Sequence, residues 1–525
     1  MRRMTETELK FVLDEASSHS LWQRAVDQGL ANAVPRPKDL YSIYFDTPDH
    51  ALGRAGTSLR VRRDGRRWVQ TVKTRAEMYG GLSEAREIEA VVPDDHVDLE
   101  AIADEAVREQ VRGWVKDDPL QPICETRIRR TAGKVRLTDG TCAELAVDVG
   151  EIRASGRADA WREAEFELLE GRPAGLFALA RKLMPEVGVR FSRFSKAARG
   201  YMLAEEGRIE PPLAARNAKP IKLNGEETTE QAFRAILREC FDQIAENVQA
   251  VLELDDSEGP HQLRVGLRRL RTAFAVFASV VESPVLSRLG DEARWLGHDV
   301  GGLRDLDVVA DDVVRREADA HQDEPGLLLL AGELASIASE RREALRTVLR
   351  GQRTQEFLLD LACYIETNGW RAQAEDSGSG NLDRPVSEVA ADALEKSWKR
   401  VRKRAGGVED LTTEQRHDLR KALKRLRYAV EFFAALYRPK RVQPFLRRLK
   451  VLQDMFGHLN DAEIVRRSLS GAASPPADDV TLQRGIGWML GVTHARAEIG
   501  WAETRAAWER LEETKPFWRY GRRGD

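Results

Sequence analysis

Along the first 200 residues, apolar and polar side chains alternate in short runs: Glu6–Val12, Tyr41–Phe45, Ser58–Arg63, Trp68–Thr74, Arg86–Val92, Thr126–Arg130, Cys142–Val149 and Glu163–Leu169. A period of two puts one set on each face of a strand, and the Gly, Pro and Asp residues between the runs mark turns. These segments predict a strand-rich domain over residues 1–204, with a few helices such as Pro173–Met184. Residues 205–227 carry Pro211-Pro212, Pro220 and Asn224-Gly225 and read as a linker. From 228 to 516 the period becomes helical, with long Leu/Ala/Arg/Glu segments interrupted at Ser377–Gly380 and at Ser474–Pro476.

The helical half repeats itself. His261-Gln-Leu-Arg-Val-Gly-Leu-Arg-Arg-Leu-Arg271 recurs as His417-Asp-Leu-Arg-Lys-Ala-Leu-Lys-Arg-Leu-Arg427, and Leu296, Gly301, Leu303, Asp305 and Val309 recur as Leu452, Gly457, Leu459, Asp461 and Val465. Both blocks return after the same interval, 417 − 261 = 452 − 296 = 156 residues. Two blocks sharing one offset predict a duplicated helical bundle with approximate two-fold symmetry.

In the strand-rich part, the polar positions are almost all ionised and are sorted by sign. Glu6, Glu8 and Lys10 share one face of a strand, as do Arg60 and Arg62, Glu87 and Glu89, Arg127 and Arg129, and Glu163, Glu165 and Glu167, with Lys73 and Asp148 on others. An ordinary sheet with one wet face carries charges too, but like charges along one face repel without partners. A closed barrel with this face turned inward resolves the repulsion. Its apolar outside would be covered by helices, its basic strands would hold a multiply anionic ligand, and its glutamates a hard divalent cation.

The charge total hides this sorting: 83 basic against 86 acidic side chains leave a net −3. That balance gives no whole-chain case for a histone-like or strongly acidic protein. The 42% hydrophobic content rules out global disorder, and the length implies about two to four domains. The start lacks the apolar core of a signal peptide, and the longest apolar run, near Gly326–Gly332, is far short of the ~18 residues that span a bilayer. Cys124, Cys142, Cys240 and Cys363 are scattered without a CxxC pair, so no zinc site or disulfide framework is indicated and a soluble cytoplasmic protein without a membrane partner is expected.

Glu6-x-Glu8-x-Lys10 resembles the ExExK motif of the CYTH superfamily, the triphosphate tunnel metalloenzymes. The resemblance continues through Tyr44-Phe-Asp46-Thr-Pro-Asp49, Leu59-Arg60-Val-Arg62, Thr71-Val-Lys73, Glu163-x-Glu165-x-Glu167 and Ser195-Lys196-Ala-Ala-Arg199-Gly-Tyr201, and covers residues 4–203. It implies an α+β fold built on an eight-stranded antiparallel β-tunnel that takes triphosphate substrates with Mg²⁺ or Mn²⁺. Carried over by position, Lys10, Arg60, Arg62, Lys73, Arg127, Arg129 and Lys196 would grip phosphate oxygens. Glu6, Glu8, Glu163, Glu165 and Glu167 would hold metal, with Asp148 near it. His19, His50 and His96 fall outside these motifs and read as surface residues.

On a helix, His261, Arg264, Arg268 and Arg271 fall in one sector of roughly 80°, bordering the apolar stripe. His417, Arg420, Lys424 and Arg427 repeat the layout with Lys421 flanking, and the only acid in either window is Asp418. A solvated face with i,i+4 pairs would need acids that are missing here. An anionic ligand or acids from other helices must compensate. Arg269 is expected to face water, and Arg304-Asp305 and Asn460-Asp461 to brace helix ends. These blocks resemble the CHAD domain over residues 228–516, which implies an all-α pair of pseudo-symmetric bundles that bind inorganic polyphosphate. Nucleic acid is disfavoured because no aromatic platform interleaves the basic residues; Trp295, Trp370 and Trp398 lie outside the stripes. The whole resembles CYTH–CHAD inorganic triphosphatases. Other triphosphate substrates (thiamine triphosphate, a nucleoside triphosphate, a cyclase reaction) and a non-enzymatic polyphosphate scaffold remain as alternatives.

Overall fold

The computed structural model describes residues 5–184, 188–281, 283–371, 382–470 and 479–520; the predicted breaks at Ser377–Gly380 and Ser474–Pro476 lie outside them. The chain forms two compact units. One comprises Met1–Leu213 with Arg350–Gly369, the other Ala214–Leu349 with Trp370–Asp525. The first unit thus takes in a helix, Gln352–Glu366, from within the 228–516 range of the helical pattern. From Arg216 onward the predicted linker is docked. The Arg216 guanidinium forms a fork with Glu239 at 2.9 and 2.8 Å, and its backbone N–H donates to Asn247 Oδ1 at 2.9 Å. Among the described residues, no helix is long and apolar enough to cross a membrane.

The first unit is a closed, fully antiparallel barrel of eight strands in the order β1-β5-β4-β3-β2-β6-β7-β8. The strands are β1 (Thr5–Val12), β2 (Lys38–Asp46), β3 (Ser58–Asp64), β4 (Arg67–Tyr79), β5 (Leu82–Val92), β6 (Gln121–Arg136), β7 (Cys142–Ala154) and β8 (Arg157–Glu170). Every predicted run lies within one of them. The register makes Glu8 oppose Glu167, Lys10 oppose Glu165, and Arg130 oppose Asp148, which in turn opposes Glu163. Paired residues share a face, so this set points into the lumen.

The alternate positions build the outer core. Ile43, Phe45, Leu59, Val61 and Val72 pack with Val107, Val111 and Val115 of the helix Glu105–Val115. At one end the lumen holds protein rather than space: Tyr44, Cys124, Ile128, Ile152 and Trp161 pack against Ala197 and Leu203 of the helix Lys196–Glu206. Two motifs from the sequence meet at its flank. The carboxylate of Asp46 accepts from the N–H groups of Thr47, Leu52 and Gly53 and, at 2.6 Å, from the Tyr201 hydroxyl. This fully buried acid therefore ties the β2 turn to the lumenal helix.

In the second unit, four helices of each repeat correspond: Thr229–Glu253 with Val386–Ala405, Glu258–Val281 with Thr413–Phe433, Pro284–Asp307 with Pro439–Ser470, and Pro325–Arg350 with Val480–Glu512. The two repeats begin side by side, because Thr229 N donates to Arg384 O and Val386 N to Glu227 O. Trp370 and Trp398 are buried packing residues, and Trp295 is half-buried.

The lumenal helix sits so close to β6 that a Cβ at Gly200 would come 2.0 Å from Cys124 Sγ. Gly200→Ala should therefore destabilise the barrel by about 1–3 kcal/mol, measured as a lower unfolding midpoint. Cys124→Ala in the same chain should recover part of the loss.

Candidate active site and anion cavity

The barrel lumen is a cavity of about 260 Å³ lined by Glu6, Glu8, Lys10, Tyr44, Arg60, Lys73, Glu87, Arg130, Glu144, Glu165, Glu167, Arg193 and Lys196, among others. Charges inside it are matched. Lys10 Nζ lies 2.7 Å from Glu165 and 2.9 Å from Glu8, and Lys73 Nζ lies 2.5 Å from Glu6 and 2.8 Å from Glu8. Arg60 faces Glu87 at 3.3 Å and Arg62 faces Glu89 at 3.5 Å. Deeper in, Arg130 grips Asp148 with two bonds of 2.7 Å and reaches Glu165 at 2.6 Å. Lys196 lies 3.0 Å from Asp148 and 2.7 Å from Glu165, with its ammonium 4.7 Å from the Trp161 ring centroid.

These surroundings separate the carboxyls. Burial raises the pKa of Glu165, but Lys10, Lys196 and Arg130 outweigh it and hold the group well below the ordinary carboxylate range. Asp148 is likewise held down against burial by Lys196 and Arg130. Glu163 is pushed up to about 7 by burial, against Lys196 and Lys10, and accepts from Ser192 Oγ at 2.7 Å. Glu167 is also pushed up to about 7, by burial and then by Glu6 and Glu144; Glu6 is raised by burial and by its bond to Glu87. Glu6, Glu8, Glu87, Glu144 and Glu167 thus form an oxygen-rich end, five carboxyls against the three cations Lys10, Lys73 and Arg60. That donor set suits a hard divalent cation. The sequence-predicted metal set divides here, since Glu163 and Glu165 sit instead among Lys10, Lys196 and Arg130. Among the described residues, three ligand atoms lie within 4.8 Å of one another only at Asp94, Asp95 and His96, on a loop outside the lumen.

Two predicted grip residues do not enter the lumen. Arg127 and Arg129 are exposed on the outer face, where they line a separate groove with Tyr41 and Arg63; Arg127 stands over the Tyr41 ring at 5.7 Å. The strand has the opposite parity to that expected because the lumenal helix supplies an apolar surface inside, and Ile128 faces it. Arg130, with the parity of Ile128, is the residue that reaches the site. The sequence pattern put Glu87 on the inward face without naming it as a metal ligand, and it missed Glu144 as a lumenal carboxylate and Arg193 as a lining cation. His19 and His96 are exposed, whereas His50 is half-buried, 2.9 Å from Glu205 with its ring 5.0 Å from Tyr201.

The second unit contains a cavity of about 1000 Å³ lined from both repeats, by Arg264, Arg268 and Arg271 of one basic helix and by His417, Arg420, Lys421 and Lys424 of the other. Arg294, His298, Arg425 and Arg467 add to its wall. Two acids line it, Asp305 on Arg264 at 2.5 Å and Asp291 on Arg294 at 2.5 Å, and Asp418, outside the lining, takes Lys421 at 3.2 Å. Among the described residues, Arg268, Arg420 and Lys424 form no ion pair with a carboxylate. Burial and then Arg264 push Arg268 down to about 10, while burial with Arg420 and Arg268 holds Lys424 well below its ordinary value. His261 and Arg427 stand beside the cavity. His261 Nδ1 accepts from Arg304 Nε at 3.2 Å, and Arg427 is bonded to Glu431 at 2.7 Å. Arg269, expected to face water, is buried: it reaches the same Glu431 at 2.6 Å and lies over the Phe432 ring at 5.1 Å. The acid that draws it in comes from the other repeat, 162 residues on. Arg304 and Asp305 brace helices as expected, through Asp312 at 3.0 Å and Arg264.

Residues 4–201 match the CYTH domain and residues 235–470 the CHAD domain. An inorganic triphosphatase of Haemophilus influenzae is 31% identical over 172 residues, 32% of this chain and 46% of that protein. An uncharacterized protein of Mycobacterium tuberculosis is 26% identical over 92% of each chain. The crystal structure of the CHAD domain from the plant Ricinus communis superposes with a TM-score of 0.50 and 30% identity, over 57% of this chain and 98% of that one.

Burial, and next to it Arg304, push His261 down to about 4 from an ordinary 6.5. A base whose folded pKa is depressed contributes stability above its unfolded pKa and loses it as pH falls. Wild type should therefore lose more thermal stability than His261→Gln between about pH 6.5 and 4, as read by unfolding midpoints across that range.

Proposed function

Because this chain carries a CYTH domain followed by a CHAD domain, we propose that its barrel hydrolyses inorganic triphosphate with a divalent cation and that its helical unit binds polyphosphate. The observation that carries the first part is the lumen itself: a closed barrel in which Lys10, Lys73, Arg60, Arg130 and Lys196 are held by carboxylates that a phosphate chain and a cation can replace together. The related Haemophilus influenzae inorganic triphosphatase supports a triphosphate-acting hydrolase. The lumen of about 260 Å³ is smaller than the ~300–1,000 Å³ of ordinary small-molecule sites, which favours a bare triphosphate over a nucleotide.

In this reading Arg60, Arg62, Lys73, Lys10, Arg130, Arg193 and Lys196 bind phosphate oxygens, the arginines with two-pronged geometry. Glu6, Glu8 and Glu167, with Glu87 and Glu144, would hold Mg²⁺ or Mn²⁺. When bound, such an ion neutralises phosphate charge and lowers the pKa of a coordinated water. Asp148 and Glu165 hold Arg130 and Lys196 in place, so the grip is oriented before substrate arrives. The lumenal helix excludes water from one end.

For the helical unit, the supporting observation is that Arg268, Arg420 and Lys424 converge from two repeats and, among the described residues, none of them is ion-paired with a carboxylate. A polyanion laid across them offsets a repulsion already paid for in folding.

Purified full-length protein should release phosphate from tripolyphosphate with Mg²⁺ or Mn²⁺, and no release across pH 6–9 would sink the hydrolase reading. Glu6→Gln should lower kcat by about 10²-fold, and Arg130→Ala should weaken both binding and turnover by a similar factor. Arg127→Ala and Arg129→Ala should leave both unchanged. Separately, Arg268→Ala/Arg420→Ala/Lys424→Ala in the full chain should weaken binding of long-chain polyphosphate, and the remaining affinity should depend less on salt. Unchanged binding by calorimetry would refute the cavity assignment.

A further inference from the structure

Among the described residues, the helix Gln352–Glu366 has no counterpart in the duplication. Its residues lie between the last helix of the first repeat, Pro325–Arg350, and the first of the second, Val386–Ala405. One repeat interval further on, the last helix of the chain ends at Glu512 and a short turn Phe517–Arg519 follows. The chain leaves the helical unit at Leu349, contributes Arg350–Gly369 to the barrel unit, and returns at Trp370. There Phe357, Leu359, Leu361 and Ala362 are buried, and Asp360 pairs with Arg181 of the helix Pro173–Leu183.

One polar contact of this helix leads to the lumen. Gln355, 2% exposed, accepts from the backbone N–H of Val189 through Oε1 at 2.6 Å. Val189 lies near the start of a segment, 188–195, that forms no regular strand and is fixed by a few bonds. Val12 N donates to Arg190 O at 2.8 Å, Phe191 packs on Phe11 at 5.3 Å, and Ser192 N donates to Lys10 O at 3.0 Å. Ser192 Oγ then donates to Glu163. The next residues, Arg193, Phe194 and Ser195, line the lumen and lead into Lys196. A segment without a ladder takes its path from its anchors; at its outer end these are Gln355, the Gly188 N–H on Met184 O at 3.1 Å and the Arg190–Glu210 pair, and Gln355 is the one that comes from beyond the barrel's own strands and their connections.

We propose that Gln355 is a positioning residue for the phosphate grip: from a helix inserted between the repeats of the other unit, it sets the path of residues 189–195 and thereby the placement of Arg193 and Lys196. The proposal rests on the reading of the lumen as a triphosphate site. It makes the barrel's substrate affinity depend on a residue 355 − 170 = 185 positions beyond the end of the last strand, Glu170. An unanchored segment still folds against β1, so the expected loss is in substrate binding more than in stability.

The test uses full-length protein with tripolyphosphate, measured by phosphate release and by calorimetric binding. Gln355→Met removes the acceptor at nearly equal volume and should raise KM and Kd about tenfold with a smaller change in kcat. Gln355→Glu keeps an acceptor for Val189 and should restore most of the affinity. Leu359→Ala, on the same helix, should lower the unfolding temperature without this change in KM. Wild-type affinity in Gln355→Met would overturn the proposal, as would equal KM increases in Gln355→Met and Leu359→Ala. A wild type that neither binds nor hydrolyses tripolyphosphate would instead overturn the lumen reading, and this inference with it.

Discussion

A charge removed from water must find a partner, and the two units meet this constraint in opposite ways. In the barrel, cations and carboxylates are interleaved so that Lys10, Arg60, Arg62, Lys73, Arg130 and Lys196 each have an acid within about 3.5 Å. Such buried pairs add little net stability, since desolvation offsets attraction. Their value lies in orientation: Arg130 and Lys196 are already aimed when substrate enters. In the helical unit the compensation is incomplete, and burial together with like-charge neighbours pulls down the pKa values of Arg268, Arg420 and Lys424. One unit is neutralised from within, whereas the other leaves its charge for something from outside.

The remaining architecture follows from keeping charges at the centre of a barrel. Because the inner face is polar, the apolar face of each strand points outward and must be covered, as the helix Glu105–Val115 does over Leu59, Val61 and Val72. Because an ionic lumen open at both ends would admit water freely, a helix fills one end. Its attachment uses residues that carry no chemistry of their own: Asp46 receives the Tyr201 hydroxyl, and Gly200 allows contact with Cys124. The motifs Tyr44–Asp49 and Ser195–Tyr201 are therefore one structural unit seen twice in the sequence.

Much of this was legible from alternation alone. All eight strands were located, and the ionised face was assigned to the interior because sign-sorted rows on a wet sheet would repel. The reading failed at β6, where Arg127-Ile128-Arg129 has the same texture as Arg60-Val61-Arg62 but the reverse orientation. Periodicity fixes which residues share a face, not which face is inside, and what turned β6 was the apolar helix Lys196–Glu206 far along the chain. Arg269 illustrates the same limit, as its burial depends on Glu431 in the other repeat. The helix Gln352–Glu366 looked like any other in its composition; only tertiary packing assigns it to the barrel unit. The 156-residue offset, by contrast, brought both basic helices to one cavity, because duplicated segments related by approximate symmetry place equivalent faces together.

Glu431 carries a consequence for how a duplicated domain ages. It accepts from Arg427 of its own copy and from Arg269 of the other, and Arg269 has almost no contact with water. A freshly duplicated pair of bundles can in principle be separated again, each copy keeping its own contacts. Once one carboxylate serves arginines of both copies, separation strands a buried cation. Deleting either copy would then break the backbone bonds between Thr229 and Arg384 and between Val386 and Glu227, and would also part an arginine from Glu431, the acid that serves both copies.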